Sequence, residues 1–453
     1  MGQSEGSPLG TTHYHILLYK AERTGPIGIP FSTRPRRLEW QHWVGLSERS
    51  DGVDQSRRNS EMKIANSVTA TGDSQAALAY ALSGVLRQLE GVSPDLVVVF
   101  LTPHFEDDFE EIRGRLTKSF GDAMLVGVTA EGVIGEDREH ERIPAMSLWA
   151  ASLPGAKLRP FYVDQADLEV TSETKNWHRL LAVPPDPKPT FLMFVDPFRI
   201  HPVTLLNRMN VAYPGCPVVG GIASGADAPG QNILWLNDRV YRDGAIGVAI
   251  TGGPEIVPVV SQGCRPIGHH LIITKSEDNI IHELGGKSAV QTLSEMMGAI
   301  PDEDVSLARQ GLLIGRAINE YQETFSQGDF LIRSLMGIDQ GSGAIAVGDL
   351  MRTGSTVQFH VRDGRSADDD LRTALRGRID TTGRSAGGAI LCTCNGRGTR
   401  MWSEPNHDVG AIRDICGDIP VSGFFAAGEI GPVGGENFLH GHTASIALFF
   451  DSA

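Results

Sequence analysis

From residue 62 onward the apolar and polar positions fall into blocks whose period switches at short intervals, and the switching itself recurs. Leu78, Leu82, Val85, Leu86 and Leu89 repeat at helical spacing behind Asp73 and Ser74, either of which can cap the first turn. "DLVVVFLT" (95–102), apolar from Leu96 to Leu101, then follows as a buried strand. Phe109, Ile112, Leu116 and Phe120 form one stripe of a second helix, and "AMLVGVTA" (123–130) is the next strand. A strand–helix–strand unit of this kind is most simply parallel and right-handed. "AMSLWAAS" and "KLRPFYVD" follow as a hairpin-like pair.

The pattern returns twice. "PTFLMFVD" (189–196), a helix around 203–211 and "PVVGGIASG" (217–225) form the second unit, followed by strands at 240–250 and 255–261. "GAILCTC" (388–394), a helix near 410–416 and "PVSGFFAAGEIG" (420–431) form the third, closed by strand "HTASIALFF". Each unit ends on the same bend, G-x-x-A-x-G, beginning at Gly127, Gly220 and Gly423. Loops at the ends of such strands offer free backbone amides and commonly hold ligands. The expected fold is α/β: a two-domain mixed-sheet sandwich, not a barrel, built from repeated strand–helix–strand units plus hairpins. Residues 1–61 lack sustained periodicity and read as a disordered N-terminal extension, with translation expected to start at Met62. The domains expected after it are 62–240 and 245–453.

Composition narrows the function classes. A net charge of −15 is the wrong sign for a nucleic-acid partner. No apolar run approaches the ~20 residues of a membrane span, and no signal-peptide core is visible, so a soluble cytoplasmic protein is expected. Five cysteines, odd in number, suit reduced thiols. The 53 glycines among 453 residues exceed the usual ~7% and imply many special turns.

"QGCRPIG" (262–268), "CNGRG" (394–398) and "GFFAAGEIGPVGGENFLHGHT" (423–443), in this order, resemble the FIST family, named for F-box and intracellular signal transduction proteins. The resemblance covers nearly everything after Met62 and assigns 62–240 to the N-terminal and 245–453 to the C-terminal FIST domain. It implies a sensory module that binds a small ligand such as an amino acid or similar polar metabolite. No F-box, kinase, cyclase or chemotaxis segment is legible, so output is expected to pass through a separate signalling partner.

The candidate ligand-binding residues are Gly263, Cys264, Arg265, Asn395, Arg397, Glu429, Gly431, Asn437, His440 and His442. The sharpest version pairs Arg265, rigidified by Pro266, with a ligand carboxylate and Glu429 with a ligand amine; Arg397 is an alternative fork, and a structural ion pair is the plain reading of either arginine. His440 and His442 share one face if the segment is extended, which suits a metal, or they bond loop carbonyls as core histidines do. Cys264, beside Arg265 and before His269 and His270, is the candidate nucleophile of an alternative enzyme reading, yet no base–orienter set surrounds it. Cys392 and Cys394 lie on a core strand without a second Cys pair for zinc. "GGKSAVQTL" (285–293) imitates a phosphate loop but has Ile281 where the pattern needs glycine, so a turn feeding a helix is expected. "EDDFEE" and "DEDVS" are read as acidic helix starts. No metal or cofactor is assigned.

Overall fold

In the computed structural model, residues 61–452 are described except 172, 323 and 326. The expectations for residues 1–60, loose order and a start at Met62, lie outside the described residues.

Three repeats of one element order make up most of the molecule. The first runs β1 (Lys63–Thr69), α1 (Ser74–Leu89), β2 (Leu96–Leu101), α2 (Phe109–Phe120), β3 (Met124–Thr129), β4 (Gly132–Gly135), β5 (Arg138–Glu141) and β6 (Met146–Ser152). The second comprises β7 (Lys157–Val163), α3 (Gln165–Val170), α4 (Thr174–Leu181), β8 (Thr190–Val195), α5 (Pro202–Ala212), β9 (Val218–Ile222), β10 (Leu234–Leu236), β11 (Arg239–Tyr241) and β12 (Ala245–Thr251). The third opens with β13 (Glu255–Gln262) and is interrupted by an insertion. That insertion holds β14 (Cys264–Glu277), β15 (Ile280–Leu284), β16 (Lys287–Ser288), α6 (Ala289–Ala299), α7 (Asp302–Gln310), β17 (Leu312–Ala317), β18 (Phe330–Asp339), β19 (Ala344–Val347) and β20 (Thr356–Arg362). The repeat resumes with α8 (Gly364–Thr382), β21 (Gly388–Cys394), α9 (His407–Cys416), β22 (Val421–Ala426), β23 (Glu429–Val433), β24 (Glu436–His440) and β25 (Thr443–Phe450).

The sheets interlock the repeats. Their orders are β1-β6-β2-β3-β10-β11, β7-β12-β8-β9-β23-β24 and β13-β25-β21-β22-β4-β5. Each repeat therefore builds four strands of its own sheet and lends its hairpin to another: the first to the third, the second to the first, the third to the second. The central pairs β2–β3, β8–β9 and β21–β22 are parallel, as the strand–helix–strand reading expects. The boundary expected between 240 and 245 falls between β11 and β12, inside the second repeat.

The inner faces of the three sheets share one core. Phe100 of β2, Phe194 of β8 and Phe424 of β22 meet with ring centroids 5.2–5.7 Å apart. Register explains how they fit. Phe100 pairs with Val128, Phe194 with Gly221, and Cys392 with Phe424, so large and small residues compensate between equivalent positions. Helices cover the outer faces, α1 and α2 packing Leu78, Leu82, Val85, Leu89, Phe109 and Ile112 into a second cluster. Leu86, expected on that stripe, is turned to solvent.

Two local expectations are corrected. "AMSLWAAS" and "KLRPFYVD" are strands but not a hairpin: β6 lies between β1 and β2, while β7 pairs with β12 at the edge of the next sheet. Nearness in sequence suggested pairing, but a repeat boundary runs between them. The insertion, moreover, is not sandwich-like. Its sheet β14-β20-β17-β18-β19-β15-β16 closes on itself through β14–β15 pairing, a small barrel. "GGKSAVQTL" is the β15–β16 turn leading into α6, whose N-cap Ser288 accepts from the Gln291 amide.

Candidate functional site

The three G-x-x-A-x-G bends converge. Ala130 and Ala223 each donate their amide to the strand before, at the carbonyls of Leu101 and Val195, 2.8 Å in both cases. The bends then bond to one another: the Glu131 amide donates to Ser224 Oγ (2.9 Å), the Ser224 hydroxyl donates to the Phe425 carbonyl, and the Ile222 amide donates to the Gly428 carbonyl (2.8 Å). Beside the first and third bends lies a narrow crevice, too tight to admit a water molecule, lined by Glu131, Glu141, Arg142, Asn395, Arg400 and Phe425. The ion pair Arg400–Glu131 crosses it. A larger hollow of about 360 Å³ opens elsewhere, among Asn66, Gln88, Glu136, Asp137, Arg413 and Asp418.

Beside the crevice, the end of β21, the start of β23, the β24–β25 turn and the β13–β14 junction deliver a buried polar cluster. Arg397 is fully buried; its Nε and Nη2 donate to Asp408 at 2.8 and 2.7 Å, and its guanidinium lies 4.9 Å from the Trp402 ring. Trp402 in turn stacks on His407 at 3.5 Å. Burial works against an ionised Asp408, yet the Arg397 charge and hydrogen bonds, with His407, hold the carboxyl well below its usual range.

Glu429 is fully buried as well. Its Oε2 accepts from the Thr443 amide at 3.0 Å, while Oε1 has no nitrogen or oxygen partner. Burial pushes the carboxyl well above the ordinary glutamate value, against the favourable pull of the Thr443 amide, the Cys394 thiol and Arg397. His442 occupies the left-handed region at φ 58°, anchored where its carbonyl accepts from the Gly263 amide at 2.8 Å. Its Nδ1 is buried without a partner, and burial plus the charges of Arg362 and Arg397 draw the ring down to about 3, so it is neutral. Arg397 Nη1 and Arg362 Nε are likewise buried without a partner. Buried polar atoms are overwhelmingly paired, and strained residues gather at functional sites, so this coincidence asks for an occupant.

Glycines hold the cluster open. A methyl at Gly263 would stand 3.0 Å from Arg397 Nη1 and 2.5 Å from the His442 carbonyl. One at Gly396 would stand 3.3 Å from His442 Nδ1 and 3.5 Å from Cys394 Sγ.

The candidate residues thus separate. Gly263, Cys264, Arg397, Glu429 and His442 gather here, and Asn395 sits at the crevice margin. Arg265 does not join them: neighbours on a strand point to opposite faces, and its guanidinium is held between Asp304 (2.5 Å) and Asp363 (2.7 Å), the plain ion-pair reading. Asn437 is a joint between hairpin and helix, donating to Asn210 Oδ1 and the Cys216 carbonyl and accepting from the Val218 amide. His440 bonds the Gly431 carbonyl at 3.0 Å and is drawn down to about 4 by burial, the core-histidine alternative. A methyl at Gly431 would meet Val260 and Ser445. The strand ends at His440, so the two histidines do not share an extended face. Among the described residues no three His, Cys, Asp or Glu side chains form a metal-holding group. Burial pushes the Cys264 thiol up to about 12, which keeps it protonated and unreactive. Sequence reasoning missed Arg362, whose side chain shares this site, and Asp408, the partner of Arg397; neither lies in a motif that stands out by composition.

The FIST N domain model matches residues 95–287 and the FIST C domain model residues 289–432. Uncharacterized protein Rv0628c of Mycobacterium tuberculosis is 39% identical over 392 residues, covering 86% of this chain and all of that one. Uncharacterized protein Mb0898c of Mycobacterium bovis is 37% identical over 391 residues, covering 86% and 99%. The chain belongs to the FIST family, whose domains are generally sensory and bind small ligands in signal transduction. A crystal structure of cyanuric acid hydrolase from A. caulinodans covers 86% of this chain and all of its own, at a TM-score of 0.33 and 8% identity, a level from which nothing about the site follows. No described helix is long and apolar enough to cross a membrane.

Proposed function

We propose that this chain is a cytoplasmic sensory protein that takes an amino acid or similar polar metabolite into the buried cluster under the 395–402 loop and passes the signal to a separate protein. The observation that carries this reading is the trio of unpartnered buried atoms, Arg397 Nη1, Glu429 Oε1 and His442 Nδ1. Together they offer a cationic donor, a carboxyl and a neutral imidazole, the chemistry a zwitterion needs. Arg397 takes the carboxylate role first considered for Arg265. Binding requires the loop bearing Trp402 to lift, and such a movement is the natural output to a partner.

The test is a thermal-shift screen of the full chain against amino acids and polar metabolites, repeated on Glu429→Gln. A ligand at a hundred times its dissociation constant stabilises by about 2.7 kcal/mol. No shift from any amine-bearing compound, or one that Glu429→Gln leaves unchanged, rejects the assignment.

A further inference from the structure

Arg362, at the end of β20, stands directly opposite Cys264 in the β14–β20 ladder, so both side chains lie on one face. Its Nη2 donates to the carbonyls of Gly396 (2.6 Å) and Arg400 (3.1 Å), while its Nε is buried and unpartnered. Among the described residues it makes no ion pair. The Arg397 charge, by contrast, is answered by Asp408. Short links tie the two arginines together: Arg362 is bonded to the residue before Arg397, and the residue before Cys264 is the glycine whose missing methyl leaves Arg397 Nη1 clear. Both charges act on His442.

We infer that Arg362 Nε–H and Arg397 Nη1–H together hold one carboxylate group of a small ligand, with Arg362 supplying the charge that makes the site select a monoanion. Two N–H donors from two planar cations match the two oxygens of a carboxylate. A phosphate dianion would set two negative charges against one uncompensated guanidinium, beside the Glu429 carboxyl. A neutral ligand would leave the Arg362 charge unanswered. This deepens the sensory reading and rests on the same site, but it names a residue and a charge that the reading does not require.

The experiment uses the full chain, with acetate as the minimal probe and acetamide as its neutral counterpart, bound affinities being measured by ligand-observed NMR at constant ionic strength. Acetate is expected to bind at least tenfold more tightly than acetamide. Arg362→Gln should remove that preference, and Arg362→Lys, which keeps charge but not the fork, should retain part of it. Equal binding of the two probes by the unaltered chain overturns the proposal without reference to any variant. So does a folded Arg362→Gln that still prefers acetate tenfold. If glycine binds and Glu429→Gln weakens it while Arg362→Gln does not, the carboxylate assignment falls and the sensory reading stands. If acetate binds through Arg362 and glycine binds no better than acetate, the assignment stands and the amino-acid reading falls.

Discussion

Arg397 and Asp408 meet in a two-point ion pair of 2.7 and 2.8 Å with both side chains shut away from solvent. Breaking such a pair from one side strands a buried charge and costs about 3–5 kcal/mol, whereas replacing both partners with apolar groups is much less harmful. Asp408→Ala should therefore destabilise severely, and Arg397→Met with Asp408→Leu should recover most of the loss. Urea unfolding of the two single variants and the pair measures the coupling. Additive effects would show that the contact stabilises nothing as a unit.

Glu139 reaches this pair from another repeat. The lent hairpin β4–β5 places it at the start of α9, where Oε1 accepts from the Val409 amide at 2.9 Å and Oε2 has no partner. Burial first, then the Asp408 charge, raise its carboxyl to about 8, with Glu141 adding to the effect. A raised value in the folded state means a contribution complete below the unfolded value near 4.5 and lost as pH rises through about 8. Stability of the unaltered chain should fall over that window, and Glu139→Gln should flatten the fall. The check is the unfolding midpoint in urea at pH 5, 6.5 and 8; parallel curves for the two chains would refute it.

The three-ring core makes a packing prediction. A methyl at Gly221 would stand 3.0 Å from Phe424 Cζ and 2.9 Å from Ala426 Cβ. Overpacking of this kind costs about 1–3 kcal/mol. Gly221→Ala should lower the melting temperature, and Phe424→Leu in the same chain should return part of the loss, because the added methyl then occupies the space the ring vacates. Additive losses in the double variant would mean that the two positions do not share one space.

Much of this fold was legible because its cause is local. The runs Leu96–Leu101, Thr190–Val195 and Gly388–Cys394 are apolar except at Thr190 and Thr393 because both faces are covered, and the bend after each returning strand repeats in sequence. Illegible was which sheet each hairpin joins: β4, β10 and β23 carry no mark of the partner strand, since backbone pairing reads no side chain. The barrel was hidden for the same reason, its closure depending on one pairing between β14 and β15. In the site, Glu429 and His442 stood out in a glycine-rich motif. Arg265 drew attention through its proline, yet strand alternation turns it away and gives the place to Arg397 and Arg362. Only the register of β14 against β20 reveals Arg362.

Glu429 supplies the last prediction. Its neighbours are the thiols of Cys394 and Cys392, the arginine Arg397 and, across the hairpin, neutral His440. With the free carboxyl raised well above its ordinary range, a ligand ammonium that settles against it must displace a proton. Affinity for an amine-bearing ligand should then climb with pH until Glu429 is ionised without help, and binding should release close to one proton. Calorimetry in two buffers of different ionisation enthalpy reads that proton directly. Glu429→Gln should bind more weakly, with no buffer dependence. Acetate, which carries no amine, should show no release in either chain. If an amino acid binds with no exchange of protons while Glu429 titrates high in the free protein, the ammonium lies elsewhere, and the carboxyl must be assigned a structural role.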